Sequence, residues 1–454
     1  MGSLLPDLPI WAAILLVALG LAAGRVALST ARTPQGAAAW VVMLLAYPLV
    51  ALPAFALFGG VSRINQRPDD RHMPRDEPDD REGRLTTLRA VTRAPLRCGN
   101  DLRLLIDGTD TFAAMFEAID AAQTEILVQF YIIRDDAVGR ALRDRLIAAA
   151  GRGVRVKVLC DLVGSMFLGR RYGRALREAG VELRGIPGPH RALGRIGINF
   201  RNHRKAVVVD GHVGFTGGAN AGQEYVDGGD RFDTWRDTTL RIEGPMAAQL
   251  RALFVSDWHA VTDETLPDMP APEPAGERAG LVTGFGPTDR LERGSLLLCG
   301  LIGLARRRLW IATPYLVPFT DLSTAMTLAH LRGVEVRLLI PRPADNRLTW
   351  YASRGFAHAL ATVGIEVHEY LPGFMHQKVI LIDDDIASVG TVNLDIRSAL
   401  LNFEQTTLVE DRAFAAEVEA MLSRDFDASA PVENPPPLHV RLLAPVARLF
   451  GPLL

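Results

Sequence analysis

The chain has 454 residues, 48% of them hydrophobic, and a formal net charge of −2. That length fits two or three domains, or one large domain of two fused halves, and the balanced charge gives no field that argues for a nucleic acid or an acidic partner. Three scattered cysteines, Cys98, Cys160 and Cys299, form no CxxC pair, so they offer neither a zinc site nor a disulfide framework and read as buried free thiols.

The N-terminus departs from an ordinary soluble chain. Residues 8–24 carry no charge, and residues 36–60 form a second charge-free stretch. A helix needs about 20 apolar residues to cross the hydrocarbon core. The first stretch reaches that length if Arg25 snorkels to the interface. A cleaved signal peptide fits poorly, because no Lys or Arg precedes the first apolar run and a second run follows at once. The expectation is a two-helix transmembrane hairpin over residues 1–60, turning at 29–35, with both ends on one side of the membrane. Arg25 and Arg32 sit at the turn, while Arg63, Arg67 and Arg71 follow the second span, which slightly favours a cytoplasmic catalytic part. Residues 61–95 then read as a charged linker, since 62–84 is rich in Arg, Asp, Glu and Pro and poor in large apolar residues.

From about residue 97 strands and helices alternate. Residues 125–133, 154–162 and 181–186 read as strands, and 137–150 and 171–179 as helices. This order predicts an α/β layered fold with a mostly parallel sheet. The order then recurs. Residues 308–316 and 334–340 match the first two strands, 359–367 echoes 175–183, and HQKVILID echoes HRKAVVVD. Four matched elements in one order amount to an internal duplication. The halves are drawn at 96–272 and 273–433. The first carries an insertion at 189–200, a candidate lid or substrate-shaping loop.

Each half holds one copy of His-x-Lys-x-x-x-x-Asp: His203, Lys205 and Asp210, then His376, Lys378 and Asp383. On a strand His and Lys share a face, and the apolar run after them buries the strand. Each motif leads to a small-residue loop ending in an amide, Asn220 or Asn393. The residue types suit phosphodiester chemistry. Lys205 and Lys378 supply positive charge for phosphoryl oxygens, and Asn220 and Asn393 add neutral donors. One His can attack phosphorus while the other protonates the leaving alkoxide. No Asp/His cluster has metal-ligand spacing, and no cofactor is called for. A nuclease would show a basic groove with aromatic residues, which the balanced charge does not suggest. Asp210 and Asp383 are expected to orient structure rather than react. Tyr131 and Tyr315 occupy matching places, as core aromatics or as rim contacts to a headgroup.

The stretches FRNHRKAVVVDGHVGFTGGAN and HQKVILIDDDIASVGTVNLDIRSALLNFE, with WRDT at 235–238, RTPQGAAAWVVMLLAYP and the ending GPLL, resemble the phospholipase D superfamily and, within it, the bacterial cardiolipin synthases. The resemblance covers nearly the whole chain. It implies two phospholipase D-like α/β/α sandwich halves around one active site. It further implies His203 as the nucleophile forming a phosphatidyl-histidine and His376 as general acid and base, or the reverse. An acid downstream of each motif would hydrogen-bond the catalytic His, and Asp237 and Glu404 stand at comparable distances from His203 and His376. Gly218 and Thr391 stand where members often have Ser. The implied partners are phosphatidylglycerol, the cardiolipin product and the bilayer of the bacterial inner membrane, with no nucleic acid. A lipid hydrolase, or a synthase using phosphatidylethanolamine as donor, are the alternatives. Residues 434–454 read as an amphipathic tail interrupted by Pro445, too short and too charged to span. It would lie in the membrane interface or pack on the catalytic body.

Overall fold

The computed structural model describes residues 9–30, 34–56, 79–186, 200–289 and 291–451. The insertion expected at 189–200, apart from Phe200, lies outside these residues, as do most of the charged linker, the centre of the hairpin turn and the last three residues.

The N-terminal helices form a compact unit of their own. The helix Ile10–Thr30 has 21 residues, about 30 Å at 1.5 Å per residue. Among the described residues it alone is long and apolar enough to cross a membrane. The second stretch is divided into Pro34–Ala46 and Pro48–Ala54, because Pro48 lacks the amide hydrogen that would carry the helix through Tyr47. A small residue lets the helices of this unit come close. A Cβ on Gly20 would lie 2.7 Å from the Leu44 carbonyl oxygen, so this glycine lets the two backbones approach. Ala27, Leu44, Ala51 and Phe55 fill the seam, while Ile10, Trp11, Ile14, Leu28, Val42 and Val50 point outward.

Residues 79–186 and 201–451 belong to a second unit. Its strands are β1 (Arg97–Ile106), β2 (Glu125–Phe130), β3 (Arg155–Asp161), β4 (Glu182–Ile186), β5 (Ala206–Val209), β6 (Val213–Gly217) and β7 (Thr238–Glu243) in the first half. In the second they are β8 (Arg278–Phe285), β9 (Arg308–Ala312), β10 (Glu335–Pro341), β11 (Glu366–Tyr370), β12 (Val379–Ile382), β13 (Ile386–Gly390), β14 (Asn402–Glu410) and β15 (Ser429–Pro431). They join in the order β4-β3-β2-β5-β6-β7-β1-β8-β14-β13-β12-β9-β10-β11-β15. Apart from the edge strand β15, each half repeats the other outward from the β1–β8 seam. The sheet is mixed rather than mostly parallel. Along that order only β2-β3-β4 and β9-β10-β11 run parallel. The motif strands β5 and β12 turn straight into β6 and β13, and a tight turn can join only antiparallel neighbours.

Alternation distributes the apolar run of each motif to two cores. Ala206 and Val208 enter a core that crosses both halves beneath the helices Pro245–Thr262 and Arg412–Asp427. Val207 and Val209 enter a separate core on the opposite face of the first half, and Ile380 and Ile382 do the same in the second. Of the three thiols, Cys160 is buried, whereas Cys98 and Cys299 are only partly so.

The motif aspartates stand at the far end of β5 and β12 from the histidines, at φ 50° and 52°, a left-handed conformation that Asp tolerates better than most residues. The Asp210 carboxylate accepts from the amides of Gln123, Thr124 and Glu125 at 2.9, 2.7 and 2.9 Å and so fixes the start of β2. Asp383 does the same for the start of β9 through the Arg307 amide at 2.7 Å, and adds an ion pair with Arg84 at 2.7 Å. That pair ties down residues 84–92, which fold as short helices although the composition placed them in the linker. Burial would raise both carboxyls, but the converging amides hold them below the usual range.

The tail forms the helix Leu438–Arg448, which continues through Pro445. Val440, Ala444 and Ala447 are buried, and Ala447 packs with Val317 and Ala352. Leu438, Leu442, Val446 and Leu449 stay exposed.

Replacing Asp210 or Asp383 by Ala should leave several backbone donors without an acceptor and cost roughly 1–3 kcal/mol of stability. Denaturation curves should show the loss, with turnover per folded molecule retained. Normal stability with lost turnover would instead place these carboxylates in the chemistry.

Candidate active site

Two short bridges bring the motifs together. Arg201–Asn202 pairs in parallel with Asn402 and Phe403 of the second half. Phe374–Met375 pairs in parallel with Trp235 and Arg236 of the first. The His203 amide then donates to the Phe403 carbonyl at 2.9 Å, and the His376 amide to the Arg236 carbonyl at 2.7 Å. Each histidine therefore sits beside the residue that follows in the opposite half. His203 Nδ1 lies 3.0 Å from Glu404 Oε2, and His376 Nδ1 lies 2.8 Å from Asp237 Oδ2. The order along the chain suggested that each acid serves its own half. The bridges exchange them.

An ionised carboxylate only accepts, so each Nδ1 carries a hydrogen and Nε2 remains the free ring nitrogen. Both histidines line one cleft of about 910 Å³, with Tyr131, Tyr315, Asn220 and Asn393 on its walls. Tyr131 meets the His203 ring edge-on at 5.3 Å, so it is a wall of the site rather than a core aromatic. Asn220 accepts from the Ile132 amide at 3.1 Å and donates to the Tyr225 hydroxyl at 2.8 Å, which fixes the amide plane.

The acids are held from behind. Thr391 Oγ1 donates to Glu404 Oε2 at 2.5 Å, and Asn402 Nδ2 to its other oxygen at 3.1 Å. Asp237 accepts from the Thr238 amide at 2.8 Å and from the Trp235 indole at 3.4 Å. A Cβ on Gly218 would lie 2.0 Å from Asp237 Oδ1. Gly218 leaves room for the Asp237 carboxylate in this position, and Thr391 supplies the hydroxyl in the other half.

The lysines lie beneath the histidines, not on the cleft surface. Lys205 is 1% exposed and Lys378 4%. Each ammonium donates to the backbone carbonyl of its own histidine, Lys205 at 2.9 Å. Burial depresses Lys205 to about 7 and Lys378 to about 8. Burial, then Lys378, pushes His376 down to about 3, and burial with Lys205 lowers His203 as well. Burial would raise Asp237 and Glu404, yet the adjacent histidines and lysines hold both below the usual range. An anionic phosphodiester in the cleft above the lysines would offset their repulsion and lift the basicity of all four groups.

The structure thus brings His203, Lys205, Asn220, Asp237, His376, Lys378, Asn393 and Glu404 to one site and leaves Asp210 and Asp383 outside it. A further layer was not foreseen. Asp257 accepts from Arg204 at 2.7 Å and from Asn202 at 2.8 Å. Asp425 accepts from Arg236 at 2.9 and 2.8 Å and from Gln377 at 2.7 Å. These aspartates lock the residues that flank each histidine. A signal was present: Asp257-Trp258 and Asp425-Phe426 are a repeated Asp-aromatic pair.

A family profile described as "Cardiolipin synthase, PLD-like domain" matches residues 115–258 and 298–426. Cardiolipin synthase A of Pseudomonas entomophila (strain L48) is 39% identical over 462 residues, covering 96% of each chain. The protein of the same name from Pseudomonas aeruginosa (strain LESB58) is 41% identical over 463 residues, covering 96% of this chain and 94% of that one. Among solved structures, phosphatidylserine synthase of Haemophilus influenzae Rd KW20 superposes with a TM-score of 0.60 over 78% of this chain and 95% of that one. At 16% identity that likeness speaks for the fold alone.

Depressed ammonium groups lose their protons at lower pH than free lysine does. The value of kcat/KM should therefore fall as pH rises through the range of about 7 to 8 set by Lys205 and Lys378. A flat profile to pH 10 would contradict that assignment. Glu404→Gln should lower kcat by roughly 10²–10⁴-fold with its stability kept, although Glu404 is in the half that does not contain His203. Steady-state kinetics on the folded variant checks this.

Proposed function

The chain belongs to the cardiolipin synthase family of phospholipase D-like enzymes, and from that premise we propose that it transfers a phosphatidyl group from one phosphatidylglycerol to the free headgroup hydroxyl of a second, giving cardiolipin and glycerol. One observation carries the mechanism: two histidines face one cleft, each held through Nδ1 by a carboxylate of the opposite half.

His203 Nε2 attacks the phosphorus of the donor lipid. The bond from phosphorus to the headgroup oxygen breaks, and His376, protonated at Nε2 as well as Nδ1 once the bound phosphodiester has raised its basicity, gives that oxygen the Nε2 proton, so glycerol leaves. The phosphatidyl group is then bonded to His203. His376 next takes the proton of the acceptor's primary hydroxyl, whose oxygen attacks phosphorus and displaces His203. Glu404 and Asp237 hold the ring tautomers and stabilise each imidazolium. The amides of Asn220 and Asn393 face the negative charge that spreads over the phosphoryl oxygens, and Lys205 and Lys378 stabilise it from beneath the histidines.

The acceptor must win over water, and both lipids must come from a bilayer. The N-terminal unit supports anchoring there. Its outer surface carries Ile10, Trp11, Ile14, Leu28, Val42 and Val50, as lipid rather than water favours. The helix Ile10–Thr30 spans the inner membrane, the divided second stretch returns, and the catalytic unit is cytoplasmic. The exposed leucines of the terminal helix support a further contact at the interface.

Incubation of the purified protein with headgroup-labelled phosphatidylglycerol should release glycerol and form cardiolipin in equal amounts. Phosphatidic acid without cardiolipin would make the chain a lipid hydrolase, and dependence on phosphatidylethanolamine would change the donor. The double variant His203→Ala/His376→Ala should be inactive, and retained turnover would sink the site assignment.

A further inference from the structure

The loop that follows β3 exposes four large apolar side chains in a row of six residues. Leu162, Val163, Met166 and Phe167 are 54%, 41%, 65% and 75% exposed. Single exposed apolar residues are ordinary, but a cluster signals a surface that something covers.

The loop is built, not slack. The Asp161 carboxylate accepts from the amides of Val163 and Gly164 at 2.9 and 3.0 Å. Its other oxygen accepts from the Asn202 amide at 3.0 Å, one residue before His203. Ser165 donates to the Tyr131 carbonyl at 3.1 Å and accepts from the Ile133 amide at 3.0 Å. A Cβ on Gly164 would lie 2.3 Å from the Tyr131 carbonyl oxygen, so the loop rests directly on that backbone. A polar base thus anchors the loop to a wall of the active cleft, and the apolar side chains project away.

The duplication supplies an internal control. The loop after β10 occupies the equivalent place in the second half, and its sequence, Arg342-Pro343-Ala344-Asp345-Asn346, contains no large apolar residue. The fold does not require the cluster. The chemistry next to it points to the occupant. Arg170, Arg171 and Arg174 are exposed on the helix Arg170–Glu178, whose first turn has no acidic residue. Cations there run against the helix dipole and cost stability. Apolar side chains flanked by cations match an anionic bilayer surface, where the former enter the acyl region and the latter meet the headgroups.

We propose that residues 162–167 form a membrane-inserting finger that seats the rim of the cleft on an anionic bilayer, so that a lipid headgroup reaches His203 without leaving the membrane. The finger adds a contact independent of the N-terminal helices. It rests on the assignment of a lipid substrate in respect of its purpose, but not of its insertion.

The test uses the full chain in vesicles of phosphatidylcholine and phosphatidylglycerol. Phe167→Trp adds one indole to the six native ones, and lipids brominated along the acyl chain should quench its emission beyond the wild-type level. In mixed micelles, Met166→Ser/Phe167→Ser should raise the KM, expressed as surface mole fraction of phosphatidylglycerol, roughly tenfold with kcat unchanged. A folding fault would lower kcat as well. No excess quenching, or an unchanged KM, overturns the proposal. So does light scattering that shows the wild type as an oligomer and Met166→Ser/Phe167→Ser as a monomer, which would make the loop a contact between copies of the chain. A wild-type protein that converts no phosphatidylglycerol would sink the lipid-transfer assignment, and the quenching would still decide where the finger sits.

Discussion

The active site depends on two short strand bridges that cross the pseudo-two-fold axis. Each fixes the backbone of a catalytic histidine against the opposite half and sets a carboxylate of that half on its ring. Neither half holds a complete histidine–carboxylate pair. The central seam β1–β8 and the core that crosses both halves are therefore part of the catalytic apparatus, because a small shift between the halves would part both pairs at once. Asp257 and Asp425, on the two helices over that shared core, reinforce the same joint.

The electrostatics follow from that closure. Two lysines, two histidines and two acids share a buried region, and burial alone penalises every charge in it. The cationic groups bear that cost: Lys205 and Lys378 fall to about 7 and 8, and His376 to about 3. Such a site is strained toward an anion. A phosphodiester relieves the repulsion between the lysines, and the extra charge of a pentavalent transition state relieves it more. Stability forgone in the protein appears as preference for the reacting group.

Much of this was legible in the sequence, and the rest failed for physical reasons. The HxKxxxxD copies, the asparagine loops and the two downstream acids repeat as local patterns, and a repeat is visible without a structure. The pairing of acids and histidines is not local. His203 and Glu404 are 201 positions apart, His376 and Asp237 139, and only the parallel bridges select those partners. The mostly parallel sheet was inferred from strand–helix alternation, which overlooks the tight turns after each motif. The lysines read as cleft residues because strand alternation was extended one turn too early: β5 and β12 begin only after Lys205 and Lys378. Asp210 and Asp383 were expected to orient structure, and their left-handed backbone and three-amide cradles give that expectation a physical form as strand clamps.

The most direct measurement is to quench the reaction with phosphatidylglycerol in its first turnovers and map the modified histidine by peptide mass spectrometry. The account predicts a phosphatidyl adduct on His203, strongly reduced in Glu404→Gln, whose altered residue lies in the other half. An adduct on His376 would reverse the two roles. No adduct on either histidine, or full labelling of His203 in Glu404→Gln, would contradict a covalent site assembled across the two halves.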